Sequence, residues 1–466
     1  MNGICLFMTV NVKKNRFIIA SAFAGFFCFQ HLAMANDYST PLVGIDTKDK
    51  LDFYIGEGIF QKFWVPSPSS TTASDGLGPL FNARSCNSCH VNNGRGHAPE
   101  ANIKGASVPS FMVRLGKQDK NAHRASHFIY PNIGDKIYGH QFQGQSSPGI
   151  LPEGDYRLSY STHLETLADG TEVKLRKPNL HWTKLNYGDF DDDTGFTMLV
   201  SPALVGMGLL DNITNTSIMA NADPDDRNND GISGRVNWIY QDKQKVIGRF
   251  GYKASVANIR AQNQSAFNTD LGLSTPLNPA PSGDCSLLQR DCLASPNGNS
   301  AHLDHLEVDQ QQARLVDLFV LLSSPPAMRN LTHNHFLAGK RFFDEGGCAR
   351  CHTPKMQTGN DSNFTVLNNR TFYPFTDMLL HDMGPELASG FPSASASPRE
   401  WRTAPLWGIG LSEKVSGRVG FLHDGRARTI EEAILWHGGE AKPSQAYYKK
   451  LNKQQRNKLI YFLESL

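Results

Sequence analysis

Apolar residues recur at helical spacing in two matched pairs of segments. "FYIGEGIF" carries Phe53, Gly56 and Phe60, and "FLAGKRFF" carries Phe336, Gly339 and Phe343, so both read F-x-x-G-x-x-x-F. On a helix those positions share one face, and the glycine permits a close helix crossing. "VDQQQARLVDLFVLL" at 308–322 and "NKQQRNKLIYFLESL" at 452–466 are amphipathic as well, and Pro325-Pro326 stops the first of them. Aligning Gln311 with Gln454 pairs Phe319 with Phe462 and Val320 with Leu463. A different period appears in "YRLSYSTHLETL" and "TEVKLRKPNL", which alternate about Asp169-Gly170 and predict a β-hairpin. The order of leading helix, variable middle and closing helix occurs twice. This predicts two related modules, 36–328 and 329–466, meeting near 325–330. The first is much the larger, and its long middle, 98–305, is where a specialised function is expected.

The N-terminus follows a third pattern. Lys13, Lys14 and Arg16 precede "FIIASAFAGFFCFQHLAMA", which ends in Ala33-Met34-Ala35. A basic head, an apolar run and a small-x-small tripeptide read as a signal peptide over 1–35, cleaved before Asn36. The alternative is an anchor, but the uninterrupted apolar stretch 17–29 falls short of the roughly 20 residues a spanning helix needs. The mature chain is therefore expected outside the cytoplasm, in a periplasm if the source is Gram-negative, and not spanning the membrane. A net charge of +2 gives no basic face of the kind that binds nucleic acid. Glycine (41) and proline (25) predict many ordered turns and long loops.

Cys5 and Cys28 would leave with the signal, and six cysteines remain. Cys285 and Cys292, in "DCSLLQRDC", are expected to form a local disulfide in an oxidising compartment. The other four form "CNSCH" and "CARCH", which place Cys86, Cys89 and His90 in the first module and Cys348, Cys351 and His352 in the second. C-x-x-C-H is the attachment sequence of c-type haem. Two thiols reach the two vinyl groups on one haem edge, and the next residue presents an imidazole to the iron. A structural zinc site would need two further ligands at tight spacing, which neither segment supplies. Two covalently bound c-type haems are expected, with His90 and His352 as proximal ligands. A second strong ligand makes a haem an electron carrier, whereas an open sixth position binds peroxide or oxygen. In the second module Met356, Met378, His381, Met383, His423 and His437 are available as that ligand.

Five longer segments carry a family resemblance: "GLGPLFNARSCNSCHVNNGRG", "DPDDRNNDGISGRVNWI", "HDMGPELASG", "EWRTAPLWGIG" and "FLHDGRARTIEEAILWHGGEA". Together they resemble the di-haem oxidoreductases, also called thiol oxidoreductases, which are related to bacterial di-haem cytochrome c peroxidases and to MauG-like proteins. The last segment is similar to the H-D-G-x-x-x-T-x-x-E-A run of the peroxidases. There a methionine a little further on ligates the C-terminal haem, and MauG-like proteins have a tyrosine. Here His437 stands in that place, so the resemblance implies a His352/His437 pair, with Met383 as the alternative. His423, Arg426 and Arg428 are expected to order the loop or meet a propionate. At the N-terminal haem the peroxidases keep an openable face and an acid/base glutamate. Glu153, in "GILPEGDYR", is the candidate by location, with Glu165 second. His97, His123, His127 and His140 are the distal histidine candidates.

The resemblance also bears on calcium, which the peroxidases hold between domains. Asp226, Asn228 and Asp230 precede Gly231 at alternate positions, like the first half of a calcium loop. The twelfth position is Asn237 rather than glutamate, so an Asx-rich turn is the other reading. Trp182, Trp238, Trp401 and Trp407 are candidates for conduction between the haems, with Trp401 or Trp407 expected near the second. The fold expected is mainly α, with two cytochrome c-like haem domains, long loop-rich insertions and some β-hairpin in the first. The function expected is peroxidase-like. Electrons would pass from a small periplasmic electron-transfer protein through the C-terminal haem to an N-terminal haem that reduces peroxide or oxidises an unknown substrate. The alternatives are a di-haem electron carrier without an open site, and a MauG-like oxidase of a protein or organic substrate.

Overall fold

The computed structural model describes residues 38–118, 131–241 and 243–466. The signal-peptide segment 1–35, His123 and His127 lie outside the described residues.

Two crossed helix pairs carry the repeat. The leading helix Thr47–Gln61 packs on the closing helix Gln310–Leu322, and Asn334–Glu345 packs on Lys453–Glu464. In the first pair Phe319 lies between Phe53 and Phe60, at ring separations of 5.0 and 5.1 Å. In the second Phe462 lies between Phe336 and Phe343, at 5.1 and 5.2 Å. The glycine of each leading helix sets how closely the backbones approach. A Cβ on Gly56 would sit 2.8 Å from the Leu315 carbonyl carbon, and one on Gly339 2.8 Å from that of Lys458. Side-chain caps start these helices: Asp46 accepts from the Asp49 N–H (2.7 Å), Asp309 from that of Gln312 (2.7 Å), and Asn452 forms a capping box with Gln455. Each pair is the centre of its own apolar cluster.

The mainly α expectation is corrected by what lies between the pairs. Among the described residues helix accounts for only 31% and strand for 20%. Phe111–Lys117 pairs antiparallel with Thr194–Val200, from Phe111 opposite Val200 to Lys117 opposite Thr194. Phe111, Val113 and Leu115 point inward at period two. They join Tyr138, Phe142, Tyr156 and Leu158 in a third cluster that no helix enters. The hairpin about Asp169-Gly170 runs far, Gly154–Thr166 against Glu172–Leu185, and Gly170 turns it at a φ of +81°. Among the described residues every sheet has two strands. The β content is spread over separate two-stranded sheets along the chain, so the period-two signal is diluted.

The hairpin tip reaches the second helix pair. Leu167 and Leu175 belong to that pair's apolar cluster. The Ala168 N–H donates to the Lys449 carbonyl (2.9 Å). Arg456, buried in the closing helix, donates to Asp169 (3.0 Å) and Thr171 (3.1 Å). Among the described residues no helix is long and apolar enough to cross a membrane.

Candidate functional site

The first cysteine motif forms a single helical turn, Cys86–Cys89, capped by the Ser85 hydroxyl. The His90 N–H closes the turn on the Cys86 carbonyl (3.0 Å), placing the imidazole directly after the two thiols. Neither thiol is in a disulfide. Burial raises Cys86 to about 12 and Cys89 well above its usual value, so both stay protonated, unlike the lowered thiols of a redox pair. The His90 Nδ1–H donates to the Pro202 carbonyl (2.7 Å). A carbonyl only accepts, so the proton is on Nδ1 and the Nε2 lone pair is free. Burial lowers His90 to about 4 and keeps the ring neutral.

The second motif repeats this arrangement. Cys348–Arg350 forms a tight 3₁₀ turn after Gly347, whose φ is +76°. The His352 N–H meets the Cys348 carbonyl (2.9 Å), and its Nδ1–H donates to the Phe375 carbonyl (3.0 Å). Burial, then the nearby His437, lowers His352 to about 4. His437 follows the helix Ile430–Leu435, donates from Nδ1 to the Ala433 carbonyl (2.7 Å), and is itself lowered by burial. Two neutral imidazoles with free Nε2 atoms thus stand close together in the second module. Among the described residues no other imidazole bears on His90.

A buried ionic cluster lies beside the second pair. His381 Nε2 meets Asp377 (2.9 Å) and its Nδ1 meets Glu440 (2.7 Å). Burial pushes His381 down, but hydrogen bonds to Asp377, Cys351 and Glu440 outweigh it and raise the ring to about 12, so it is an imidazolium. The other candidate ligands are placed differently. Met356 receives an Asn221 N–H (3.8 Å), and Met378 receives one from Arg402 (3.7 Å). Met383 is half-buried and donates its backbone N–H to the Arg399 carbonyl (3.0 Å). His423 stacks on Trp401 at 3.8 Å and 12°. Arg426 pairs with Asp424 (2.7 Å) and covers the Trp436 ring at 4.7 Å, and Arg428 pairs with Glu432 (2.7 Å). Trp407 lies in the first apolar cluster, Trp182 among the aromatics of the third, and Trp238 under Lys245.

A cavity of about 230 Å³ opens beside the first motif, lined by Cys89, Arg95, His97, Ser110, Ser416 and Arg418 among others. Arg95 is held by the carbonyls of Gly420 (2.9 Å) and Leu422 (3.0 Å), in the loop after the short helix Ser412–Ser416, and Ser416 and Arg418 line the wall. His97 donates from Nδ1 to the Ala98 carbonyl (3.1 Å). Among the distal candidates described, it is the one on this cavity, because His140 is held by Asp284 (3.0 Å). Glu153 is not on it. Only 1% exposed, its carboxylate accepts from the Gln143 N–H (2.5 Å) and Gln289 Nε2 (2.6 Å). Burial raises it well above the usual carboxylate range. Glu165 is paired with Lys449 and His163.

Cys285 and Cys292 are joined in a disulfide, and Gln289 in the same loop supplies the contact to Glu153. Asp226, Asn228 and Asp230 turn their oxygens on the loop's own backbone: Asp226 and Asn228 accept from the Asp230 N–H (both 3.0 Å), and Asp230 accepts from Ile232 (3.0 Å). Asp230 also meets Arg350 of the second cysteine motif at 3.6 Å. Sequence reasoning missed Pro202, Phe375, Asp377 and Glu440. A carbonyl carries no residue signature, and a carboxylate gains its role only from the imidazole it faces.

A family model described as "Di-haem oxidoreductase, putative peroxidase" matches residues 26–466. No curated protein matches the chain. Among solved structures, hydrazine synthase of Kuenenia stuttgartiensis, pressurized with 20 bar xenon, is similar at 12% identity, covering 97% of this chain and 100% of that one with a TM-score of 0.29. A score that low does not define a shared fold.

Proposed function

The chain belongs to the di-haem oxidoreductase family, and from that premise we propose that it is an exported c-type di-haem enzyme of peroxidase type. Cys86, Cys89 and His90 would hold one haem, and Cys348, Cys351 and His352 the other, with His437 as its second protein ligand. The residues fit the group. Both thiol pairs are free, both histidines carry their proton on Nδ1, and buried Ser416 Oγ and Trp436 Nε1 lack a hydrogen-bond partner near the two motifs. Bound there, haem supplies one-electron chemistry where two protein nitrogens ligate it and peroxide or oxygen binding where one face is open.

The observation that carries the reading is the asymmetry between the sites. His437 acts on His352, whereas among the described residues only burial and the Pro202 bond act on His90, and His97 stands instead on the cavity beside its motif. The Pro202 and Phe375 carbonyls orient the two proximal rings and keep each Nε2 available. At the first cavity His97, rather than the enclosed Glu153, accepts and returns a proton through Nε2. Arg95, with its fork of donors, orients an anionic or peroxide oxygen. Electrons from a small periplasmic protein enter at the second module and are used at the first. Cleavage before Asn36 delivers the chain to that compartment, and N-terminal sequencing of the mature protein tests it.

Optical and EPR spectra of the purified protein, oxidised and half-reduced, with and without hydrogen peroxide, test the main reading. One low-spin bis-nitrogen signal and one high-spin signal that responds to peroxide are expected. Two low-spin signals, unresponsive in both states, would make the protein an electron carrier instead.

A further inference from the structure

We propose that His381 is a positioning residue, and that its clasp between Asp377 and Glu440 holds His437 across from His352. The inference rests on the His352/His437 reading above and adds what keeps that pair together. The geometry runs in two arms. On the proximal side the Phe375 carbonyl holds His352 Nδ1, and two residues on the Asp377 N–H donates to the Cys351 carbonyl (3.0 Å). The short strand Leu380–Asp382 then presents His381, which is only 3% exposed. On the distal side Glu440 lies three residues after His437, in the middle of the 3₁₀ turn Gly439–Ala441. The imidazole of His381 joins the arms, Nε2 to Asp377 and Nδ1 to Glu440.

Glu440 is also tied to the strand that carries His381 and to Ser233 in the long middle of the chain. It accepts from the Asp382 N–H (3.2 Å), the Ser233 N–H (3.2 Å) and the Ser233 hydroxyl (2.9 Å). The backbones beneath are also close. A Cβ on Gly438 would lie 2.9 Å from the Met383 carbonyl oxygen, and one on Gly384 2.9 Å from the Gly439 nitrogen. The His437 ring is held by a local bond, to the Ala433 carbonyl one turn back in the helix it follows. That bond sets the ring's tautomer but not its distance from His352. The distance is set where the segment after His437 is tied to the segment after His352, and the His381 clasp is the charged part of that tie. An imidazolium between two carboxylates in a buried site is strong when complete, and it leaves an unpaired charge when either partner is removed.

The test uses holoprotein carrying Glu440→Ala, Glu440→Gln or His437→Ala, read by EPR and by CO uptake of the fully reduced protein. Glu440→Ala is expected to convert at least half of the second site's low-spin signal to high-spin and to add up to a further equivalent of CO. Glu440→Gln, which keeps the shape and a hydrogen bond but not the charge, should fall between it and wild type. If Glu440→Ala does not accumulate as folded holoprotein, Glu440→Gln decides by the same signals. Should His437→Ala convert the second site while both Glu440 variants keep the wild-type spectrum and CO uptake, the clasp is overturned and the ligand pair stands. Should His437→Ala leave the spectrum unchanged, the ligand pair fails and the clasp with it.

Discussion

Gly56 and Gly58 stand in the same helix and offer a matched test of how the modules are built. A Cβ on Gly56 would lie 2.8 Å from the Leu315 carbonyl carbon and 3.1 Å from Phe319 Cβ, where ordinary contact begins at 3.4 Å. The atoms in the way are backbone and the root of a side chain, so no rotamer change relieves the overlap. The Leu315 carbonyl oxygen is nearer still, so the helices Thr47–Gln61 and Gln310–Leu322 would have to separate by roughly an ångström, an overpacking that costs about 1–3 kcal/mol. Alanine returns about 1 kcal/mol of helix propensity, so Gly56→Ala should destabilise by up to about 2 kcal/mol net. Nothing lies within 4 Å of a Cβ on Gly58, so Gly58→Ala keeps the propensity gain and should stabilise by about 0.5–1 kcal/mol. Urea unfolding with an unchanged m-value is the assay, because in a chain this long each kcal/mol moves the thermal midpoint only slightly. Gly339→Ala, facing the Lys458 carbonyl, should repeat the Gly56 result in the second module. If Gly56→Ala proves as stable as Gly58→Ala, the close crossing does not depend on the missing side chain and the reasoning is wrong.

Other outcomes follow from buried charge and from cross-links. Burial lowers His423 to about 4, so the unfolded chain binds its proton first as pH falls. Stability should therefore drop from about pH 6.5 to about pH 4, by roughly 3 kcal/mol in total, and His423→Phe should flatten that slope in denaturant titrations while keeping the stack on Trp401. For Glu153 the sign is opposite. Its raised folded pKa means that stability is present at low pH and is lost as pH climbs from the usual glutamate range, and Glu153→Gln should remove this slope. Arg456→Met removes the donors to Asp169 and Thr171 and should speed proteolysis at the hairpin tip, read by limited digestion of the folded protein. Replacing Cys285 and Cys292 with serine opens a loop of sequence separation 7 and should cost about 2–3 kcal/mol without changing the haem spectrum.

Much of the helical frame was legible because its determinants are local. The phenylalanines and glycine of "FYIGEGIF" and "FLAGKRFF" lie within a few turns, and helical periodicity alone predicts the face they share. Alignment of the closing helices brought Phe319 and Phe462 into register, and each ring packs between the two phenylalanines of its leading helix. The β content was read short. A strand such as Phe111–Lys117 is stabilised by a partner far along the chain, Thr194–Val200, and the signal for that pairing is not in either segment alone. Glu153 shows the same limit. Its location makes it the acid/base candidate, whereas Gln289 from the disulfide loop closes over it.

The two C-x-x-C-H turns and the helices packed beside them were readable from the chain alone. Each depends on atoms a few residues apart, where spacing is geometry. Only the tertiary structure decided what meets those turns. The Pro202 carbonyl that holds His90 lies 112 residues away, the Phe375 carbonyl that holds His352 lies 23 away, and Glu440 meets His381 across 59. Such contacts form because folding buries polar groups that must then find partners, and which partner is nearest depends on the whole packing of the chain.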